Sequence, residues 1–278
     1  MPKKYYEDDS VTLYHGDSRE VLAALADQSV DCVITDPPYT ERTHGMAKTN
    51  KGKGHGVKAI GFDSFTDDDL ASALAECGRV TRRWVIASLD YAHAFGLEYN
   101  TPPGLRVMRL GVWVKTNPMP QISADRPGQG WEAIAYLHRD DVKPAWNGGG
   151  RHGNFIAPVQ QNAGHPTVKP LGMVTDWVEW FTSPGETVLD PFAGSGTTLR
   201  AAVNVGRKAI GVELDERYCE LIANRLAQGA FDFGSASGGC TAADFYEPPE
   251  RVLSARLYVT SAAEADDAAQ REWDRWDV

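Results

Sequence analysis

Residues 187–198 read Thr187-Val188-Leu189-Asp190-Pro191-Phe192-Ala193-Gly194-Ser195-Gly196-Thr197-Thr198. The first four residues have the apolar, β-branched character of a buried strand, and helical periodicity begins at Thr197. Between them, Gly194 and Gly196 allow a tight turn with close backbone approach. A strand that enters a helix through such a turn leaves the first helical N–H groups free to face a ligand. Glu213 follows about twenty residues later, at the end of the next apolar run, where an acid can accept both hydroxyl hydrogens of a ribose. The pattern points to a nucleoside-containing cofactor.

The chemistry of that cofactor narrows by exclusion. A dinucleotide-binding turn calls for a third glycine three residues after Gly196, but Leu199 stands there. A phosphate-binding loop calls for Gly-Lys-Ser/Thr, which is absent. A cofactor without a pyrophosphate remains, and S-adenosylmethionine fits, with its ribose at Glu213 and its amino-acid end at the glycine turn and Asp190. A turn needed only for packing is the competing reading.

Outward from this motif, the patterns predict strands over 11–14, 30–35, 84–88, 109–114, 187–190 and 209–213. Helices are expected over 18–26, 70–80, 171–181, 197–205 and 216–226. Strands alternating with helices predict an α/β fold, a doubly wound and mainly parallel sheet of the Rossmann-like kind, whose ligands bind beyond the strand C-termini.

The strand over 30–35 ends in a second motif, Thr35-Asp36-Pro37-Pro38-Tyr39. Two consecutive prolines fix φ and remove two donors, so the neighbouring carbonyls lack local N–H partners. An exocyclic amino group on a nucleobase is a poor nucleophile because its lone pair is delocalised into the ring. The Asp36 carboxylate and the Pro37 carbonyl can hold its two N–H bonds and expose the lone pair, while Tyr39 offers a ring face worth ~1–3 kcal/mol of base stacking. An ordinary Asp-Pro turn is the alternative.

Composition bounds the rest. The chain has 278 residues, 42% hydrophobic and 24% charged, with a mean hydropathy of -0.38. One large or two modest domains are expected, with no membrane-spanning stretch. The charged N-terminus is followed by no apolar signal core, so a cytoplasmic location is expected. Cys32, Cys77, Cys219 and Cys240 are widely spaced, which argues against a disulfide framework or a metal site. The net charge of -10 disfavours a nucleic-acid partner on its face, but the charge is unevenly spread. Acid collects toward the C-terminus, beyond a Gly/Ser/Ala stretch over 234–239. Base collects in a loop with Arg42, Lys48, Lys51, Lys53 and Lys58, and again at Arg109, Lys115, Arg126, Arg139, Lys143 and Arg151. The second group is interleaved with Trp113, Trp131, Tyr136 and Trp146, a mixture that suits nucleic acid. Trp113 lies in an alternating run and could equally be core.

Together the two motifs make the chain resemble the amino-group DNA methyltransferases, which methylate adenine N6 or cytosine N4. The resemblance extends to His165-Pro166-Thr167-Val168-Lys169-Pro170, to the run from Gly206 to Glu213, to His15-Gly16-Asp17-Ser18 and to Trp113-Val114-Lys115. It covers most of residues 11–40 and 165–226, with Glu132 and Arg139 similar to less regular positions. The target-base motif precedes the cofactor motif, as in the β group of that family.

The resemblance implies catalytic roles for Asp36, Pro37, Pro38 and Tyr39. It implies cofactor contacts from Asp17, His165, Thr167, Lys169, Asp190, Phe192, Gly194, Ser195, Gly196, Thr197, Glu213 and Leu214, although His165 and Lys169 could instead anchor a loop. DNA contacts are expected from Arg42, Lys48, Lys51, Lys53, Lys115, Arg126, Arg139 and Arg151. The implied organisation is a catalytic part over 1–115, a target-recognition insertion over 116–164, a cofactor part over 165–230, and a linker with an acidic tail over 231–278. Within the family, Asp before Pro-Pro-Tyr implies N6 of a flipped-out adenine rather than cytosine N4. DNA is the expected partner, and a second copy of the chain and a companion nuclease are further candidates. The run 146–151, Trp-Asn-Gly-Gly-Gly-Arg, has no mechanism readable from sequence. An RNA or protein amino-group methyltransferase is disfavoured by the motif order, and a non-catalytic binding module by the intact Asp36, Tyr39, Gly194 and Glu213.

Overall fold

A computed structural model describes residues 2–38, 66–118, 120, 126–160 and 168–227. In chain order the elements are β1 (Lys3–Glu7), β2 (Val11–His15), α1 (Ser18–Ala24), β3 (Val30–Thr35), α2 (Asp67–Val80), β4 (Thr81–Leu89) and α3 (Tyr91–Gly96). They continue as β5 (Leu105–Lys115), β6 (Trp131–Arg139), β7 (Asn154–Ala157), α4 (Leu171–Phe181), β8 (Thr187–Asp190), α5 (Thr197–Asn204), β9 (Lys208–Glu213) and α6 (Glu216–Ala227). The strands form one sheet in the order β1-β2-β9-β8-β3-β4-β6-β5-β7. The β2–β9, β9–β8, β8–β3, β3–β4 and β5–β7 pairs are parallel, and β1–β2, β4–β6 and β5–β6 are antiparallel.

Alternation along the central strands divides the core in two. Cys32, Ile34, Trp84, Ile86, Ile134, Tyr136 and Val188 face a cluster completed by α4, α5 and α6, including Trp177, Phe181, Leu199 and Ile222. Val33, Val85, Ala87, Ala133, Ala135, Leu137 and Leu189 face the other way, onto Leu22 of α1, Leu70, Leu74 and Cys77 of α2, and Leu97. Helices on both faces require central strands that are apolar on both sides, and β3 is buried along its whole length. This is the doubly wound, mainly parallel α/β sheet that the sequence predicts.

Helix ends follow local chemistry. Thr66 and Asp69 form a reciprocal capping box at the start of α2. Asp17 caps α1 by accepting from the Arg19 amide at 2.8 Å. Helix α5 starts at Gly196, in the left-handed region at φ 75°, with no side-chain cap.

The middle of the chain differs from expectation. Within the anticipated insertion over 116–164, residues 131–139 are β6, which lies in the main sheet between β4 and β5, and residues 154–157 are β7 at its edge. Tyr136 and Trp113 are core residues. Their aromatic and cationic neighbours suggested a nucleic-acid surface, but β6 is covered on both faces and the rings of Trp113 and Tyr136 pack into the core. Strands β1 and β7 and helix α3 have no counterpart in the sequence reading, because each is short and weakly patterned. The described part of 116–164 thus contributes two strands to the main sheet, and the tail over 231–278 lies outside the described residues.

Residues 146–151 also acquire a role. The Asn147 side-chain amide donates to the carbonyls of Glu179 (3.1 Å) and Thr182 (2.9 Å), and its backbone N–H donates to Trp180 (2.7 Å). The segment satisfies the otherwise orphaned carbonyls at the end of α4. Gly148 lies so close beneath the Trp146 ring that a Cβ would meet it at 2.3 Å, and Arg151 stands 5.9 Å from the centroid of the Trp180 ring.

Candidate active site

The site is built where β3 and β8, parallel neighbours, reach their C-termini. Asp190 closes β8 and is only 3% exposed. Its Oδ1 accepts from the Thr35 hydroxyl at the end of β3 and from the Phe192 amide, each at 3.1 Å. Burial pushes the Asp190 carboxyl up to about 7, against the hydrogen bonds from Thr198, Phe192 and Thr35. The Thr35–Asp190 bond ties the Asp36-Pro37-Pro38 segment to the glycine turn.

The turn itself is held from both sides. The Ala193 amide donates to the Val212 carbonyl at 2.9 Å and the Gly194 amide to Glu213 Oε2 at 2.8 Å. Ser195 and Thr197, both buried, share a hydroxyl contact at 3.1 Å. Arg225 of α6 donates to the Ser195 carbonyl, a support with no signal in the sequence. At the end of β9, Glu213 Oε1 accepts from the Asp215 amide at 2.8 Å. Each Glu213 oxygen therefore holds one N–H and keeps a second lone pair, the acceptor set that two ribose hydroxyls require. Burial raises the Glu213 carboxyl above its ordinary range.

Beside Glu213, Leu214 is 51% exposed and offers an apolar surface for a purine ring. His15 pairs with Glu213 across β2 and β9, its Nε2 lies 3.1 Å from the Leu214 carbonyl, and Gly16 donates to the Glu213 carbonyl at 3.0 Å. Asp17 follows, but its carboxylate caps α1 and meets the Arg19 guanidinium at 2.6 Å. The uncapped start of α5, the paired acceptors of Glu213 and the exposed Leu214 fit S-adenosylmethionine.

On the β3 side the geometry is ionic. Asp36 Oδ2 accepts from Lys169 Nζ at 2.6 Å, whereas Asp36 Oδ1 has no hydrogen-bond partner among the described residues. The Lys169 ammonium also stands 3.0 Å from Glu132 Oε2, and Lys115 meets Glu132 Oε1 at 2.5 Å. The Trp113 ring lies beneath both cations, its centroid 5.1 Å from Lys115 Nζ and 5.8 Å from Lys169 Nζ. Burial raises the Asp36 carboxyl; Lys169 opposes the rise and the Glu132 charge adds to it. Burial acts the same way on Glu132, but Lys169 and Lys115 together override it and hold that carboxyl low.

The other expected site residues fall in three places. Tyr39, Arg42, Lys48, Lys51, Lys53, His165 and Thr167 lie outside the described residues. Lys169 sits at the site directly against Asp36, and Lys115 is joined to it through Glu132. Arg139 lies at the opposite end of the sheet, where it pairs with Asp141 at 2.5 Å and donates to the Thr81 carbonyl at the start of β4. Arg151 stands over Trp180, and Arg126 is exposed. These arginines are not brought together with Asp36. Sequence reasoning made nothing of Thr35 or Arg225 and placed Glu132 only by resemblance. A glutamate inside the apolar run of β6 was the available signal, since buried acids are rare unless paired.

Residues 146–225 match the DNA methylase family. The Type II methyltransferase M2.LlaDCHI of Lactococcus lactis subsp. cremoris is 28% identical over 83% of this chain and 94% of its own length. M2.DpnII of Streptococcus pneumoniae is 26% identical over 81% of this chain and 93% of its own. Among solved structures, the M1.HpyAVI–SAM complex aligns with a TM-score of 0.56 at 26% identity, covering 77% of this chain and 99% of that one. The cytosine-N4-specific PvuII DNA methyltransferase shares the fold at a TM-score of 0.63 and 16% identity, over 81% of this chain and 89% of that one.

The fold is the one shared with these methyltransferases, and the site's acceptors and glycine turn fit S-adenosylmethionine, which the M1.HpyAVI–SAM complex contains. Within that class, the family match and the curated relatives support the amino-group DNA methyltransferases, the family that the sequence resembles.

Proposed function

We propose that this chain transfers a methyl group from S-adenosylmethionine to N6 of adenine in DNA. The observation that carries the reading is Asp36 Oδ1, a buried acceptor beside the cofactor turn that has no partner among the described residues. An unpaired buried acceptor costs about 1–3 kcal/mol, and an amino group docked there would recover that cost. When bound, S-adenosylmethionine supplies a methyl group on a sulfonium, electrophilic enough to need orientation more than activation.

This chain's residues supply the orientation. Asp36 Oδ1 accepts one N–H of the target amine while Lys169 holds Oδ2, so the carboxylate presents a single direction to the substrate. Pro37 and Pro38 keep the backbone rigid, and the Thr35–Asp190 bond sets the distance between clamp and cofactor turn. In duplex DNA the target base must leave the stack to reach this depth. Tyr39 would stack on it, and the cations over 42–53 would meet phosphates. The N6 specificity rests on the family lean of Asp before Pro-Pro-Tyr, with cytosine N4 as the second reading.

Incubation with labelled S-adenosylmethionine and duplex DNA, RNA or protein tests the substrate class. Label should enter DNA, and label in RNA or protein alone would overturn the reading. Nucleoside analysis of the product should give N6-methyladenine, whereas N4-methylcytosine would select the alternative. Asp36→Ala should retain cofactor binding and lose transfer by about 100- to 1,000-fold. Transfer at the wild-type rate would remove Asp36 from the mechanism.

A further inference from the structure

Asp36 does not stand alone. Lys169, Glu132 and Lys115 continue from it as an alternating chain of charges, anion, cation, anion, cation, at 2.6, 3.0 and 2.5 Å. Lys169 keeps only 7% of its side-chain exposure and Glu132 14%. Taking such charges out of water is costly unless each is paired, so a half-buried four-membered chain next to a reaction centre calls for an explanation. Packing alone would be met more cheaply by apolar residues of similar volume.

We propose that Glu132 is a positioning residue for methyl transfer, holding Lys169 on Asp36 Oδ2 so that Oδ1 is left as the acceptor for the target amine, and remaining as the fixed anion when Asp36 accepts the released proton. The inference rests on the function proposed above. As the N–C bond forms, the S–C bond breaks with its electron pair staying on sulfur, and the positive charge passes to the nitrogen. The nitrogen then gives one proton to Asp36 Oδ1 and keeps the N–H electrons, and the proton leaves to water afterwards. With Asp36 neutral, two lysines would be left facing each other; Glu132 lies between them and meets both. Two coupled carboxylates whose surroundings push them apart mark a proton acceptor and a permanent anion. Here Asp36 is the raised group and Glu132 the lowered one.

The groups that face Asp36 are Lys169 ahead of α4, Glu132 on β6, Lys115 on β5 and Asp190 on β8. Removing one charge at a time therefore has a predictable sign. Glu132→Gln removes a like charge beside Asp36, so Asp36 should titrate lower. Lys115→Met removes a cation, so Asp36 should titrate higher. Removing both together deletes a neutral pair and should give a value between those of the two single variants.

Two readouts test this. One is the acidic limb of the single-turnover methyl-transfer rate against pH. The other is the ¹³C carboxyl titration of labelled aspartate in the free protein, with the Asp36 signal identified by its loss in Asp36→Asn. Glu132→Gln should move both downward and Lys115→Met should move both upward by a smaller amount. The double variant should lie between the two single variants, with S-adenosylmethionine affinity unchanged throughout. Glu132→Asp should recover part of the Glu132→Gln effect.

General damage to the fold cannot produce shifts of opposite sign that offset each other in combination. Shifts of the same sign, or no shift in folded variants, would overturn the proposal. If the wild type methylates no DNA, the proposed function fails first, while the titration shifts still test the charge chain.

Discussion

Asp190 shows how a single carboxyl can report on the whole site. Its folded-state value near 7 lies above the ordinary aspartate value of about 4, so the native chain binds a proton there that the unfolded chain releases. Its contribution to stability is therefore greatest below pH 4, and it declines as pH rises from about 4 to about 7. Asp190→Asn keeps an acceptor for Phe192 and Thr35 but cannot ionise. Thermal unfolding should show the variant gaining on wild type between pH 5 and pH 8, by about 2–3 kcal/mol at most. A constant difference across that range would mean that the carboxyl does not titrate there. At this scale the motif residues were legible in sequence, since Asp36, Asp190, Gly194 and Glu213 each carry a chemical demand that few residues meet. Their partners were not. Thr35 reaches Asp190 from 155 positions away, and Lys169 reaches Asp36 from 133.

Among the elements, helix α4 is the one most dependent on distant support. Its last carbonyls are satisfied by Asn147, and the buried Arg207 donates to Thr182 just past its end, at 3.1 Å to Oγ1 and 2.8 Å to the carbonyl. Asn147→Ala leaves two carbonyls without that donor and should lower stability by about 1–2 kcal/mol in urea unfolding, with methyl transfer per folded molecule unchanged. An effect on transfer but not on stability would assign Asn147 to the site instead. Apolar periodicity located α2, α4, α5 and α6 and the strands β2, β3, β8 and β9 because each has a buried face that repeats at its own period. Strand β6 escaped because its Trp131, Tyr136 and Arg139 carry the composition of a nucleic-acid surface, and composition says nothing about which face a ring occupies. Its pairing between β4 and β5 settles that point.

In the molecule as a whole, the two faces of the sheet carry separate cores, and Trp177 of α4 is the largest side chain fully buried in the first. Trp177→Ala should cost about 3–5 kcal/mol, seen as a lower urea midpoint with an unchanged slope. A loss under 1 kcal/mol would mean that the helix repacks. Local order along the chain was sufficient for the doubly wound class, the cofactor turn and the target-base motif, because strand, turn and helix signals act over a few residues. Contacts between distant segments decided the rest. The order of strands brings the end of β3 beside β8, antiparallel pairing draws β6 into the sheet, and the buried Lys169 joins Asp36 to Glu132. Burial of a charge is a cost that only a partner can offset, and which partner is near depends on how the sheet is assembled, not on spacing along the chain.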